Sequence, residues 1–344
     1  MNRSHIAKAA ALAVASSLAA SAAPAFAENK LSMAATWGGG PLLEMQAKGF
    51  ANDVELLTNG DVVIEVFPGG TLGKALKVTS TVKKGVAQAG HTNASYDWGI
   101  DRTGALLSGF SGSLPFEQTI HWMYKGGGLE MWKEWRMAKF GIVGFPCGVI
   151  PKEIFAHSHK KVVTQEDFKG LKLRTSGAWA EIAAALGAST VSLPGSEVFP
   201  ALERGVVDAI EWGPPAMNVA AGFQQIAPYT IVPGIHQPLS FQECQFNADT
   251  WESLGERNRN LIEIAARRSV FDNWMQYGHD DAEAFKKIAG ATEIVDLDSA
   301  FIDVAYKASV EWADKQAAEN PEFEKVWSSM KAYGEIWKSA TRYR

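Results

Sequence analysis

Two stretches 120 residues apart read as the same structural unit. "KVTSTVKKGVAQAGHTN" (77–93) and "EVFPALERGVVDAIEWG" (197–213) each give a short helix, a glycine at its end and an apolar strand beginning Gly-Val. Gly85 aligns with Gly205, Val86 with Val206 and Ala89 with Ala209; His91 and Thr92 align with Glu211 and Trp212. A single duplication of an α/β unit points to two lobes built alike, whereas a solenoid needs more copies. The competing explanation is that helix–Gly–strand junctions resemble one another anyway. The preceding stretch favours the α/β reading. "LSMAATW" (31–37) reads as a strand, and Gly38 to Pro41 open a helix with Leu43, Ala47, Phe50, Val54 and Leu57 at helical spacing. Gly60 closes that helix and "DVVIEVF" (61–67) is the next strand. Strand, helix and strand joined by short turns predict a parallel unit with a right-handed crossover.

Residues 1–27 have the marks of a secretory leader: Arg3 and Lys8, an apolar run over 9–20, and Ala25-Phe26-Ala27 as a cleavage site. The expectation is an exported, periplasmic protein. Removing 27 of 344 residues leaves enough chain for two cores. The chain carries 33 basic and 38 acidic side chains, and the leader takes two bases and no acid with it. With no basic block, such a chain is a poor binder of nucleic acid. Cys147 and Cys244 are the only cysteines. They form one bridge or are two buried apolar residues, and sequence leaves that open.

The expected organisation is a first lobe over 28–150, a second over 151–238, and a return to the first over about 239–275. C-terminal helices over 276–344 would span the lobes or dimerise. "GFPCGVIP" (144–151) and "TIVPGIHQP" (230–238) are Pro/Gly-punctuated apolar runs suited to hinge strands. Residues 254–289 form one long helix or two. Phe323, Val326, Trp327, Met330, Ile336 and Trp337 make a broad stripe over 321–340, which must bury itself on its own lobe or on a second subunit.

Open α/β sheets hold ligands outside the carboxyl ends of their strands, and two strand ends stand out. In "GLKLRTSG" (170–177) Arg174 lies between a strand end and a helix that Ser176 can cap. The guanidinium and the helix dipole both favour an anion there; the alternative is a surface salt bridge. In "GVVDAIEWGPP" (205–215) Glu211 and Trp212 end an apolar strand. Glu211 could pair with Arg174, order a cation or act as a base. From the first lobe, Tyr96 and Asn93 could face a ligand or be packed residues with satisfied polar tips. Enzyme motifs are missing: "GFSGS" (109–113) does not complete G-x-S-x-G, and there is no H-E-x-x-H, C-x-x-C or P-loop. "HSHKK" (157–161) pairs His157 and His159 without a further metal ligand.

The leader, "FPGGTLG" (67–73), "GLKLRTSG" and "ALERGVVDAIEWGPP" together resemble the substrate-binding proteins of tripartite ATP-independent periplasmic (TRAP) transporters, the DctP type, over essentially all of 28–340. The resemblance implies a two-lobed periplasmic solute-binding α/β fold with hinge strands and long C-terminal helices, closing on an organic acid and serving membrane permease subunits. It implies Arg174 as the carboxylate anchor. In the branch that binds 2-oxo and 2-hydroxy monocarboxylates such as pyruvate or lactate, it also implies that the Glu211 side chain and the Trp212 carbonyl hold Na⁺ or Ca²⁺. Gln237 falls at the place of a further ligand. Trp37, Trp98 and Trp179 would be walls, Tyr96 and Asn93 closing groups, and dimerisation would use the C-terminal helix. One departure stands out: where the branch has a glutamine, this chain has Ile150, which coordinates nothing. The cation site is then completed otherwise or no metal binds. The alternatives are a receptor for a dicarboxylate or sugar acid, and an exported hydrolase or isomerase using Glu211.

Overall fold

The structure, a computed structural model, describes residues 29–340; the expected leader lies outside them. Five strands form the first sheet: β1 (Asn29–Ala35), β2 (Val62–Phe67), β3 (Ala89–Thr92), β4 (Ile142–Ile150) and, much later in the chain, Ser240–Asn247. Between them the chain builds β5 (Ala156–Ser158), β6 (Lys172–Arg174), β7 (Ser189–Val191), β8 (Ala209–Ile210) and β9 (Tyr229–Val232). Ser240–Asn247 is therefore β10, and Glu293–Asp296 is β11. The first sheet runs β2-β1-β3-β10-β4 and the second β11-β9-β5-β8-β6-β7. β1 is parallel to β2, as the strand–helix–strand pattern predicts, and also to β3, and β10 is antiparallel to both its neighbours. Cys147 and Cys244 are bonded, joining β4 to β10 and closing a loop of 97 residues of sequence separation.

The duplication is structural. The helices Val78–Lys83 and Gly195–Glu203 each end in a glycine turn, with φ 69° at Gly85 and 67° at Gly205. That backbone region carries little steric penalty only for glycine. The bonds Gly85 N–H to Val82 and Val86 N–H to Thr81 recur 120 residues on as Gly205 to Leu202 and Val206 to Ala201. β3 and β8 then bring His91 and Glu211 to equivalent strand ends.

Three crossings join the sheets. The connections β4–β5 and β9–β10 run side by side: the Glu153 N–H donates to the Gln237 carbonyl at 3.3 Å and Phe155 N–H to Ile231 at 3.0 Å. A Cβ on Gly234 would sit 1.9 Å from the Glu153 carbonyl oxygen, so glycine is needed for this approach. The third crossing is one uninterrupted helix, Gly255–Ala289. It packs on β4 and on the helix Pro215–Ala221 beyond β8. There Asp281 accepts the Ala216 N–H at 2.8 Å. The span read as wholly helical after 276 contains β11, whose two apolar residues are too few to show a strand period. The first part of the C-terminal stripe is covered by the chain itself. Phe323, Val326, Trp327 and Met330 are buried against Ser299–Glu319 and first-lobe helices, while Ile336 is exposed.

Candidate functional site

A cavity of about 90 Å³ lies between the lobes, where the strand ends of both repeat units and both strand crossings meet. Arg174 ends β6 and is buried there. Its Nη1 donates to the Glu211 carbonyl at 3.1 Å and to Glu211 Oε1 at 3.2 Å. Nη2 donates to the Leu193 carbonyl at 2.9 Å, and Nε is buried with no protein partner. The guanidinium stands 5.6 Å from the Trp212 ring centroid, within range of a cation–π attraction. Gly195 makes room for that indole: a Cβ there would lie 2.7 Å from it. Ser176 precedes the helix Gly177–Ala185 but makes no side-chain capping bond; it lines the cavity instead.

The first lobe supplies Trp37, Tyr96 and Asn93. Burial pushes the Tyr96 hydroxyl up to about 12, so it stays protonated. The Trp37 indole N–H donates to His91 Nδ1 at 2.7 Å, and burial drives His91 down to about 3, leaving it neutral. Asn93 lines the cavity, but its amide donates to Ser240 Oγ and the Phe241 carbonyl, both at 3.0 Å. Its oxygen caps Ser95, so the packed alternative describes its polar tip. Trp98 is not a wall: it stacks on Trp312 at 5.7 Å and 13°. Trp179 is one, and its indole N–H is buried without a protein partner. Gln237 lines the cavity with its amide nitrogen donating to the carbonyls of Gly109 at 3.0 Å and Leu239 at 2.7 Å. His157 and His159 point to separate partners, Thr230 Oγ1 and the Leu202 carbonyl.

Two members of the site escaped the sequence reading. Glu153, in the first strand crossing, and His236, in the second, meet with His236 Nε2 at 3.1 Å from Glu153 Oε2. The same nitrogen lies 3.8 Å from Glu211 Oε2. One ligand atom from each of the three residues falls within 4.8 Å of the others. Glu153 is pushed up to about 7 by burial, against the favourable His236 contact, with Glu211 raising it further. The available signal was a lone acid in "PKEIF" and a lone histidine in "PGIHQP", each an ionisable residue inside an apolar crossing. His91, Cys147 and Cys244 also cluster, but the disulfide occupies both sulfurs.

The fold has counterparts. Residues 33–320 match the family model of the bacterial extracellular solute-binding proteins, family 7, DctP. A monocarboxylate 2-oxoacid-binding periplasmic protein of Nostoc is 29% identical, covering 83% of this chain and 79% of its own length. Two solved TRAP solute-binding proteins share the fold. One, from Bordetella bronchiseptica, is a mixed-occupancy dimer with copurified calcium and picolinate in its active site. It has a TM-score of 0.87 and 25% identity, over 92% of this chain and 94% of that one. The other, from Pseudoalteromonas atlantica, holds sodium and pyruvate; it has a TM-score of 0.86 and 28% identity, over 92% and 97%. With two lobes, paired strand crossings and a buried arginine at their junction, this chain belongs to the DctP family of TRAP transporter solute-binding proteins.

Proposed function

We propose that the protein is a periplasmic receptor that captures a small 2-oxo or 2-hydroxy monocarboxylate and delivers it to TRAP permease subunits in the membrane. The observation that carries this is Arg174. It is a buried guanidinium at a strand end with an unpaired Nε, facing a cavity of about 90 Å³. A carboxylate meets such a group through two parallel charge-assisted hydrogen bonds. The volume suits a few heavy atoms and is far below the several hundred Å³ of drug-sized pockets, which favours a three- or four-carbon acid over a sugar acid. Among the described residues Arg174 is the sole lysine or arginine lining the cavity, so a dicarboxylate would lack a second cationic anchor. The neighbours that hold pyruvate and picolinate support the same class.

A cation beside the acid fits the donors present. Glu211 and Glu153 offer carboxylate oxygens and His236 a ring nitrogen. Ile150 lines the cavity and offers nothing. A bound cation would offset the excess of carboxylates and take a second ligand oxygen. Trp37, Tyr96 and Trp179 would exclude water from the acid.

A thermal-shift panel of 2-oxo acids, 2-hydroxy acids, dicarboxylates and sugar acids tests the reading. A monocarboxylate at 100 times its Kd should add about 2.7 kcal/mol of stability. A response confined to dicarboxylates or sugar acids, or conversion of the acid to product, would replace it.

A further inference from the structure

Arg102 follows the turn Ala94–Asp97 beyond β3, in the first lobe, and Glu181 lies on the helix Gly177–Ala185 that follows β6, in the second. Arg102 Nη2 donates to Glu181 Oε1 at 2.7 Å, and Nη1 donates to Glu181 Oε2 at 3.1 Å. We propose that this pair is a latch between the lobes. It holds them together around the captured acid without touching it, and so sets how long the acid stays bound. The inference rests on the receptor reading above.

Three observations carry it. The first is place. Ala178 and Trp179, in the first turn of the second-lobe helix, line the cavity, and Glu181 stands two residues further on. A Cβ on Gly177 would lie 3.7 Å from the Ser95 side chain, so the start of that helix meets the first lobe directly. Arg102 and Glu181 themselves stay outside the cavity wall. Drawing the lobes apart breaks the fork, and bringing Trp179 back onto the acid remakes it.

The second is preparation of the first-lobe side. The Arg102 guanidinium lies 4.8 Å from the Trp98 ring centroid, and its Nη1 also donates to Gln316 Oε1 at 2.7 Å. Trp98 stacks on Trp312, which packs against Phe110 of the first lobe. The Trp312 indole N–H donates to Glu181 Oε2 at 2.9 Å. Beside Arg102, Asp101 accepts from the Trp135 indole and the Thr103 N–H and pairs with Lys139. These contacts build a socket for one carboxylate. A guanidinium already fixed in this way loses little freedom when that carboxylate arrives.

The third is exposure. The Arg102 and Glu181 side chains are 36% and 38% exposed, whereas the Arg136–Glu243 pair is fully buried. A half-exposed pair has little desolvation to offset and is weak enough to open reversibly. Salt reaches it and weakens it. A contact completed only after the acid has entered acts on departure more than on arrival.

The experiment is stopped-flow tryptophan fluorescence with pyruvate on the unmodified protein, Glu181→Gln, Arg102→Met and the double variant, at low and high salt. A ligand-free melt of each checks folding. Each single variant should release pyruvate about two- to fivefold faster, with association changed by less than about twofold. The double variant should be no worse than the singles, because all three lack the same contact. High salt should speed release from the unmodified protein more than from Glu181→Gln. A residue that only supports the fold would lower the melt and leave release from the folded fraction, and its salt response, as they were. Equal release rates in Glu181→Gln and the unmodified protein overturn the latch, and so do additive effects in the double variant. If pyruvate does not bind the unmodified protein, the receptor reading is what fails. The latch is then judged by small-angle scattering of the ligand-free protein, where Arg102→Met should enlarge the radius of gyration and an unchanged radius overturns it.

Discussion

Arg136, buried against Glu243 and Asp97, and Arg174, buried against Glu211, are both ion-paired, and the difference between them separates structure from function. Every nitrogen of Arg136 is used. Nε and Nη2 donate to Glu243 at 2.7 and 2.5 Å, and Nη1 donates to Asp97 at 2.6 Å. The carboxylates are saturated too: Trp132 and Gln245 donate to Glu243, and Thr79 donates to Asp97. The guanidinium is also flanked by the rings of Trp135 at 4.3 Å and Phe140 at 4.7 Å. Arg174 keeps an unpaired Nε and faces a cavity whose walls hold further unpaired donors. A buried ion pair alone says little about role, because desolvation offsets most of its attraction. Saturation is what discriminates. A complete network rigidifies a core, and an incomplete one lining a cavity can serve a ligand.

The largest effect should come from breaking the complete network. Arg136→Met leaves Glu243 and Asp97 buried without their cation, which costs about 3–5 kcal/mol. The melting temperature should fall on the order of 10 °C, and acid binding by the folded fraction should be unchanged. A melt indistinguishable from the unmodified protein would mean the network is not structural.

Arg174→Met should do the reverse. Removing a desolvated partner of a carboxylate costs about 2–5 kcal/mol of binding, roughly thirty-fold or more in Kd. The ligand-free melting temperature should move by much less than in Arg136→Met. Calorimetry showing unchanged affinity would remove Arg174 from the site.

The two networks were unequally visible in the sequence. Arg174 was legible because it lies between a strand end and a helix N-terminus, and Glu211 because an acid at the end of an apolar strand breaks the pattern, both at the place where α/β folds hold ligands. The two-lobed fold was legible for a related reason, since the glycine turns at Gly85 and Gly205 repeat. Glu153 and His236 were not, because neither lies on a periodic element. They meet only where two irregular crossings run side by side and Gly234 permits close backbone contact. The resemblance to the family pointed instead to Gln237, the residue next to His236. The Arg136 network was hidden as well, because Asp97, Arg136 and Glu243 come from three distant segments.

Acid should expose a smaller contrast between the repeated units, His91 in one and Glu211 in the other. Burial holds His91 at about 3 in the folded protein, against about 6.5 in an unfolded chain. Above pH 6.5 it is neutral in both states and pH changes nothing. As pH falls from 6.5 toward 3 the unfolded chain takes up a proton that the folded chain refuses. Stability should drop by up to about 1.4 kcal/mol per pH unit, or about 2 kcal/mol by pH 5. In His91→Asn, whose side-chain oxygen can accept from Trp37, denaturant melts at pH 7 and 5 should differ by less. An equal loss in the variant would assign the acid sensitivity elsewhere.

The finest test of the saturation argument is Trp179→Phe, because its two expected effects have opposite signs. The indole N–H is buried and lacks a protein partner, so deleting it removes an unsatisfied donor. The ligand-free protein should be as stable as before or slightly more stable. If that N–H serves a bound acid, the same change costs about 0.5–1.5 kcal/mol of binding, roughly two- to thirteen-fold in Kd. Weaker binding with undiminished stability is something no purely structural residue produces. Undiminished binding with raised stability would make the indole a wall and nothing more. The incomplete network would then reduce to Arg174 and the groups around Glu211.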